Sequence, residues 1–262
     1  MDFIMSNSVL FECDDSGVVT VTLNRPQINN AFDDEMISGL QDAFMRANNM
    51  PQCRLLILSG AGENFCAGAN LSWMKSMATY DFEQNLSDAC ALAEMLYQLY
   101  TLDKPTICLP KGAVFGGGVG LVAACDFAIA HPKTLFSLSE VKLGLTPATI
   151  SPYVVEAMGT KRARQFMLTG ERFGAEKARE AGLVMAISEQ VDNELNDLIT
   201  QLKLGASGAQ RDIKKLIQYV ANTPIDAQLG NKTAELIAKR RMEPEAQEGM
   251  QAFFAKRKPS WI

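Results

Sequence analysis

Histidine is almost missing from this chain of 262 residues: His131 is the single example, so any histidine-based triad or metal site would rest on it. It stands in Ala130-His131-Pro132, which reads as a turn that ends a strand. The six cysteines, Cys13, Cys53, Cys66, Cys90, Cys108 and Cys125, form no C-x-x-C pair, and a chain of this length needs no disulfide staples; free thiols are expected. Long apolar runs are also lacking, since no window approaches the roughly 18 residues of a membrane span. The opening Met1-Asp2-Phe3-Ile4-Met5 has neither a basic leader nor an Arg-rich amphipathic stretch, so a cytoplasmic protein is expected. Positive charge is in deficit, with 25 Lys and Arg against 30 Asp and Glu, and the net charge of −5 opposes a nucleic-acid partner.

What is present suffices for a large core, at 47% apolar and 21% charged residues. Leu10 to Cys13 and Val18 to Leu23 read as a hairpin around Asp14-Asp15-Ser16-Gly17. A helix starts at Asp33-Asp34, carries Met36, Ile37, Leu40, Phe44 and Met45 at helical spacing, and stops near Asn48-Asn49. Leu55 to Leu58, Thr106 to Leu109, Phe127 to Ala130 and Leu135 to Leu138 read as strands, and Phe82 to Tyr100 as a helix. From about Asp192 only helices remain: Leu195 to Leu204, Asp212 to Val220, Ala227 to Met242 and Ala246 to Lys256. The pattern predicts an α/β body over residues 1–191 and a helical region over 192–262. No Pro-, Gly- or Ser-rich linker parts them, so the helical region is expected to pack on the body or on a neighbouring subunit.

Three segments break this rhythm. Phe65-Cys66-Ala67-Gly68-Ala69-Asn70-Leu71 is mostly small residues between a strand and the helical stretch of Trp73, Met74 and Met77. It reads either as a loop that admits a ligand to the backbone or as a tight connection. Gly112 to Ala123 places Gly116, Gly117, Gly118 and Gly120 at the start of an apolar helix, suited to an oxyanion or a phosphate, and equally to close helix packing. Gly118-x-Gly120-x-x-Ala123 matches a dinucleotide fingerprint, with Glu140 at the distance of a ribose-binding acid. Its position in mid-chain, several residues after the strand ending near Pro110, argues against that reading. In Ser137 to Pro147, Glu140 follows an apolar strand; it is either a buried acid with a raised pKa or a surface partner of Lys142 or Lys111.

Together these segments resemble the crotonase, or enoyl-CoA hydratase/isomerase, superfamily. The similarity runs from Val18-Val19-Thr20-Val21-Thr22-Leu23-Asn24-Arg25-Pro26 and Asn30-Ala31 to Glu248-Gly249-Met250-Gln251-Ala252-Phe253 and Lys256-Arg257-Lys258-Pro259. The resemblance implies an α/β spiral of ββα units followed by a C-terminal helical trimerisation region, and a homotrimer or dimer of trimers. It implies that the Ala69 and Gly117 N–H groups hold a thioester oxyanion and that Glu140 is the acid/base. Arg25, Ile28, Ala67, Leu71, Phe253 and Lys256 would approach CoA, which enters as part of the substrate; no separate cofactor, metal or membrane partner is expected.

Gly120 departs from the pattern, because hydratases with two glutamates carry their other acid there. Gln27 stands where relatives have a basic residue near CoA, Lys111 where an Asn is common, and Ala148 where a glycine N–H often holds water. Gly116 to Leu121, with Ser139 to Tyr153, look like bacterial hydratases of 3-methylglutaconyl-CoA in leucine breakdown or of isohexenylglutaconyl-CoA. The resemblance therefore implies a hydro-lyase of acyl-CoA metabolism. A Δ3,Δ2-enoyl-CoA isomerase, which also keeps a single glutamate, is the enzyme alternative, and a CoA-binding or scaffold protein is the non-catalytic one.

Overall fold

The computed structural model describes residues 8–262, so the pentapeptide Met1 to Met5 lies outside the described residues. The expected hairpin opens the fold as β1 (Val9–Cys13) and β2 (Val18–Leu23), paired antiparallel with Val9 opposite Leu23. Its turn is held by Asp14, whose carboxylate accepts from the Ser16 and Val18 backbone N–H groups. A 3-10 turn, Pro26–Ile28, leads to α1 (Asp34–Asn49), capped by Asp33, which accepts from the Met36 N–H. Met36, Ile37, Leu40, Ala43, Phe44 and Ala47 form one buried face of α1, each larger side chain contributing about 1.5–3 kcal/mol by leaving water.

Then follow β3 (Leu55–Gly60), α2 (Leu71–Met77), α3 (Phe82–Tyr100), β4 (Thr106–Cys108), β5 (Ala113–Phe115), α4 (Gly117–Ala124), β6 (Phe127–Ala130) and β7 (Leu135–Ser137). A second 3-10 turn, Glu140–Leu143, precedes α5 (Ser151–Thr169), β8 (Arg172–Gly174), α6 (Ala175–Glu180) and β9 (Ala186–Ile187). The helices α7 (Val191–Leu204), α8 (Ser207–Ala221), α9 (Ala227–Met242) and α10 (Pro244–Phe254) complete the chain.

Two sheets organise these strands. The larger has the order β1-β2-β3-β4-β6-β9 and is parallel throughout, save for the opening hairpin. Alternation divides its side chains: Val19, Val21, Leu56 and Leu58 enter the main core, while Val18, Leu55, Ile57, Ile107 and Ile129 face the other way. That second face is covered by Val191, Leu195, Leu198, Ile199 and Leu202 of α7, as a parallel sheet requires. The start of the helical region thus packs on the body.

The smaller sheet, β5-β7-β8, carries the site. Its β5 escaped the sequence reading, which treated Gly112 to Ala123 as loop and helix; three residues are too short to show a period. β5 pairs parallel with β7, placing Phe115 beside Ser137 at the strand ends that lead to Gly117 and to Glu140. Among the described residues no helix is long and apolar enough to cross a membrane.

Candidate active site

The first loop is pinned so that one of its N–H groups stays free. Phe65, Cys66 and Ala67 donate to Lys111, Ala113 and Asn29 backbone carbonyls at 2.8, 3.2 and 3.0 Å. Phe32 then forms a parallel bridge with Ala69: the Phe32 N–H donates to Gly68 O at 2.8 Å and the Asn70 N–H to Phe32 O at 2.7 Å. In such a bridge the central residue's own N–H points away from its partner. The Ala69 N–H accordingly has no acceptor among the described residues, and Ala69 is exposed.

The second loop supplies the matching donor. Gly116 takes φ +50°, a conformation that favours glycine, and its N–H donates to Ser137 O at 3.0 Å. α4 starts at the next residue, so the Gly117 N–H belongs to the first helical turn and has no acceptor among the described residues. A Cβ built on Gly117 would lie 2.7 Å from Cε2 of Phe32. The residue whose backbone sets Ala69 therefore also packs its ring against Gly117.

Glu140 completes the group. A Cβ built on Gly116 would be 3.1 Å from Oε1 of Glu140 and 3.9 Å from Cα of Gly68, which brings the acid and both loops into one space. Oε2 is buried without a hydrogen-bond partner. Burial raises the carboxyl's pKa above its ordinary value, and a backbone hydrogen bond within Glu140 itself partly opposes the rise. Neither Lys142 nor Lys111 pairs with it among the described residues, so the surface ion-pair reading is set aside.

No second acid fits beside it at Gly120. That glycine is buried in α4, and a Cβ there would lie 2.4 Å from Cγ2 of Ile150 and 3.5 Å from Cδ2 of Leu96. Trp73, Met74 and Met77 on α2 and Tyr153 on α5 are half-buried. Cys66, in the first loop, is fully enclosed and burial pushes its thiol up to about 12, which leaves it inert as a nucleophile. His131 plays a local part, with Nδ1 accepting from the Lys133 N–H at 3.2 Å.

The residues expected along CoA are scattered. Arg25 is committed to Asp33 at 2.5 Å, while Ile28 ends the adjoining 3-10 turn and is half-buried. Ala67 is half-buried in the first loop, and Leu71 opens α2 at 84% exposure. Phe253 and Lys256 lie at and beyond the end of α10, with Phe253 78% exposed and edge-on to the Phe254 ring; no described bond joins them to either loop of the same chain.

Two asparagines hold the site; the sequence marks Asn30 only as part of the resemblance and gives no sign of Asn64. Asn30 is buried, accepts from the Arg25 N–H, and donates to the Ala61 and Asn64 carbonyls at 2.9 and 2.8 Å. Asn64 accepts from the Ala113 N–H at 2.7 Å and donates to Asn29 at 2.8 Å. Polar residues at loop ends are common, and only these long-range partners distinguish the two.

Two unpaired backbone donors and one half-buried, ion-free carboxyl are an arrangement that can stabilise charge on an acyl oxygen and move a proton. Comparisons with known proteins give the family. The family model described as enoyl-CoA hydratase/isomerase matches residues 14–262, and the chain belongs to that family, within the crotonase superfamily. An enoyl-CoA hydratase from Shewanella pealeana superposes with a TM-score of 0.96 at 42% identity, covering 99% of this chain and 97% of its own. Pseudomonas aeruginosa AtuE superposes at 0.91 with 32% identity, covering 97% and 99%. A trans-2-decenoyl acyl-carrier-protein isomerase from Streptococcus mutans is 29% identical over 265 residues, covering 100% of this chain and 99% of the relative. The fold is the crotonase fold, and the chain is an enzyme of this family.

Proposed function

We propose that the enzyme adds water across the 2,3-double bond of an enoyl-CoA, or removes it, with a glutaconyl-type acyl group such as 3-methylglutaconyl in leucine breakdown. The observation that carries this is Glu140: one half-buried carboxyl, free of ion pairs, beside Gly116 and Gly68 and next to two unpaired N–H groups. Ala69 and Gly117 hold the thioester oxygen as it gains negative charge, each donor being worth about 10²–10³ in rate. Glu140 takes a proton from water as the water oxygen bonds to Cβ, and returns a proton to Cα as the enolate collapses. One carboxyl thus serves both steps. Bonds balance, since one O–H bond and the π bond of the C=C break while one C–O and one C–H bond form. CoA arrives with the substrate, and no further cofactor takes part. The glutaconyl choice rests on the likeness of the Gly116 to Leu121 and Ser139 to Tyr153 segments to hydratases of that type, whose substrates bring their own second carboxylate where Gly120 has none.

The six cysteines are free thiols, which suits a cytoplasmic enzyme. Ile225, Phe253 and Phe254 stand exposed on the helical region, which suits assembly into a trimer or a dimer of trimers.

The lone carboxyl favours a second reading, a Δ3,Δ2-enoyl-CoA isomerase, in which Glu140 carries a proton from Cα to Cγ. Incubation with 3-methylglutaconyl-CoA, crotonyl-CoA and a 3-enoyl-CoA separates the readings by product. Hydration of the first, faster than of the second, is expected; equal rates on those two remove the glutaconyl assignment, and conversion of the 3-enoyl-CoA alone leaves isomerisation.

A further inference from the structure

The end of the small sheet from which the Gly116–Gly117 and Glu140 segments emerge holds a cation that the mechanism does not use. Phe115, Ser137 and Arg172 lie in one row across β5, β7 and β8, as register partners of one another. Register partners share a face. Two strand spacings separate Phe115 from Arg172, roughly 10 Å along the row. The Arg172 side chain closes that gap, because its Cζ stands 5.4 Å from the centre of the Phe115 ring. The side chain stays exposed to solvent, with its guanidinium lying over the ring of the strand that continues into Gly116 and Gly117.

The same face borders the first loop. A Cβ built on Gly68 would meet Phe115 O at 3.4 Å and Phe115 Cβ at 3.8 Å. Among the described residues the Arg172 side chain has no carboxylate partner, and its one contact is with the Phe115 ring. By contrast Arg25, the basic residue expected near CoA, is already neutralised by Asp33. Gln27, where relatives carry a base, brings no charge.

We propose that Arg172 is a substrate-binding residue that receives an anionic oxygen group of the acyl-CoA, held ready by the Phe115 ring beside the oxyanion loops. This rests on the reading of the site as an acyl-CoA pocket. A guanidinium offers a planar fork of N–H donors that fits carboxylate and phosphate alike. Two groups of the substrate have that chemistry: the distal carboxylate of a glutaconyl-type acyl chain and the phosphates of CoA.

Four thioesters with no 2,3-double bond tell the sources apart, because none can be hydrated: butyryl-CoA, glutaryl-CoA, butyryl-pantetheine and glutaryl-pantetheine. Their dissociation constants are measured on the full-length wild type and on Arg172→Gln, with melting temperatures as the check on folding. Selective weakening of the two glutaryl thioesters, by about 10-fold or more, places the distal carboxylate on Arg172. Selective weakening of the two CoA thioesters by a similar factor places a phosphate there. Equal change in all four, or change in none, overturns the proposal. Should Arg172→Gln fail to fold, Arg172→Lys serves: it keeps the charge, loses the fork, and is expected to show the same selectivity with a smaller factor. Because these ligands do not react, the outcome is independent of whether the wild type proves a hydratase, which the product assay decides separately.

Discussion

Ile150 occupies the space that a side chain on Gly120 would need: a Cβ there would stand 2.4 Å from Ile150 Cγ2 and 2.9 Å from its Cβ. Ile150 is itself buried, at the start of α5, so it has no free direction in which to yield. The single-acid site is therefore a property of packing between α4 and α5 as much as of the residue at position 120.

Restoring a second acid by Gly120→Glu alone is expected to destabilise the fold without raising the rate. Overpacking of this kind costs about 1–3 kcal/mol before any charge is buried. The smaller change Gly120→Ala is expected to lower the urea midpoint, and to do so less in an Ile150→Ala background, because the two side chains share one space. Equal costs in both backgrounds would show that Ile150 is not the obstacle.

Glu140→Gln removes the proposed proton carrier and keeps the shape. A loss of about 10²–10⁴ in kcat is expected, and survival of full activity would exclude Glu140 as the acid/base. Stability should move the other way. Burial holds the folded-state pKa above the ordinary 4.5, so the protonated form is the one the fold prefers. Stability is then fully present below the ordinary value and is lost as pH rises through the raised one. The glutamine variant should melt above the wild type at pH 7, with the gap closing toward pH 4.

The parts of this site visible in the sequence were those whose residue types are themselves the signal. Glycines at 116, 117 and 118 announce a close backbone approach, and an acid after an apolar strand announces Glu140. Phe32 gave no such sign, since an apolar residue before a helix is ordinary and its two roles come from partners 37 and 85 positions away. The short strands β5, β8 and β9 have two or three residues each and no period to detect. In α5 the pattern is broken by Gly159, at φ 71° and ψ 160°, and the sequence reading placed no helix there.

Asn30 is expected to matter for the site without touching substrate. Its replacement by Ala removes one acceptor and two donated bonds, and leaves part-buried backbone groups of Arg25, Ala61 and Asn64 unmatched. Each such loss costs about 1–3 kcal/mol when water cannot replace it. Asn30 also has φ 52°, which asparagine tolerates better than alanine. Calorimetry should show a lowered melting temperature, and kcat should fall with it as the first loop loses its anchor; a variant that melts like the wild type would refute this account.

Phe32 and Gly117 offer the sharpest test of the proposed oxyanion geometry, because one aromatic residue contacts both loops. Its backbone fixes Ala69 through the bonds to Gly68 O and from the Asn70 N–H, and its ring leaves no room for a side chain on Gly117. Gly117→Ala would drive a methyl into that ring, so α4 must shift its first turn and carry the Gly117 N–H with it. A loss of about 10²–10³ in kcat is expected, the value of one misplaced donor. Phe32→Leu keeps the backbone bridge while shortening the side chain, and in the Gly117→Ala background it should restore part of the lost rate even though alone it costs stability. If Phe32→Leu instead worsens Gly117→Ala, the two donors are set independently and the shared role of Phe32 fails.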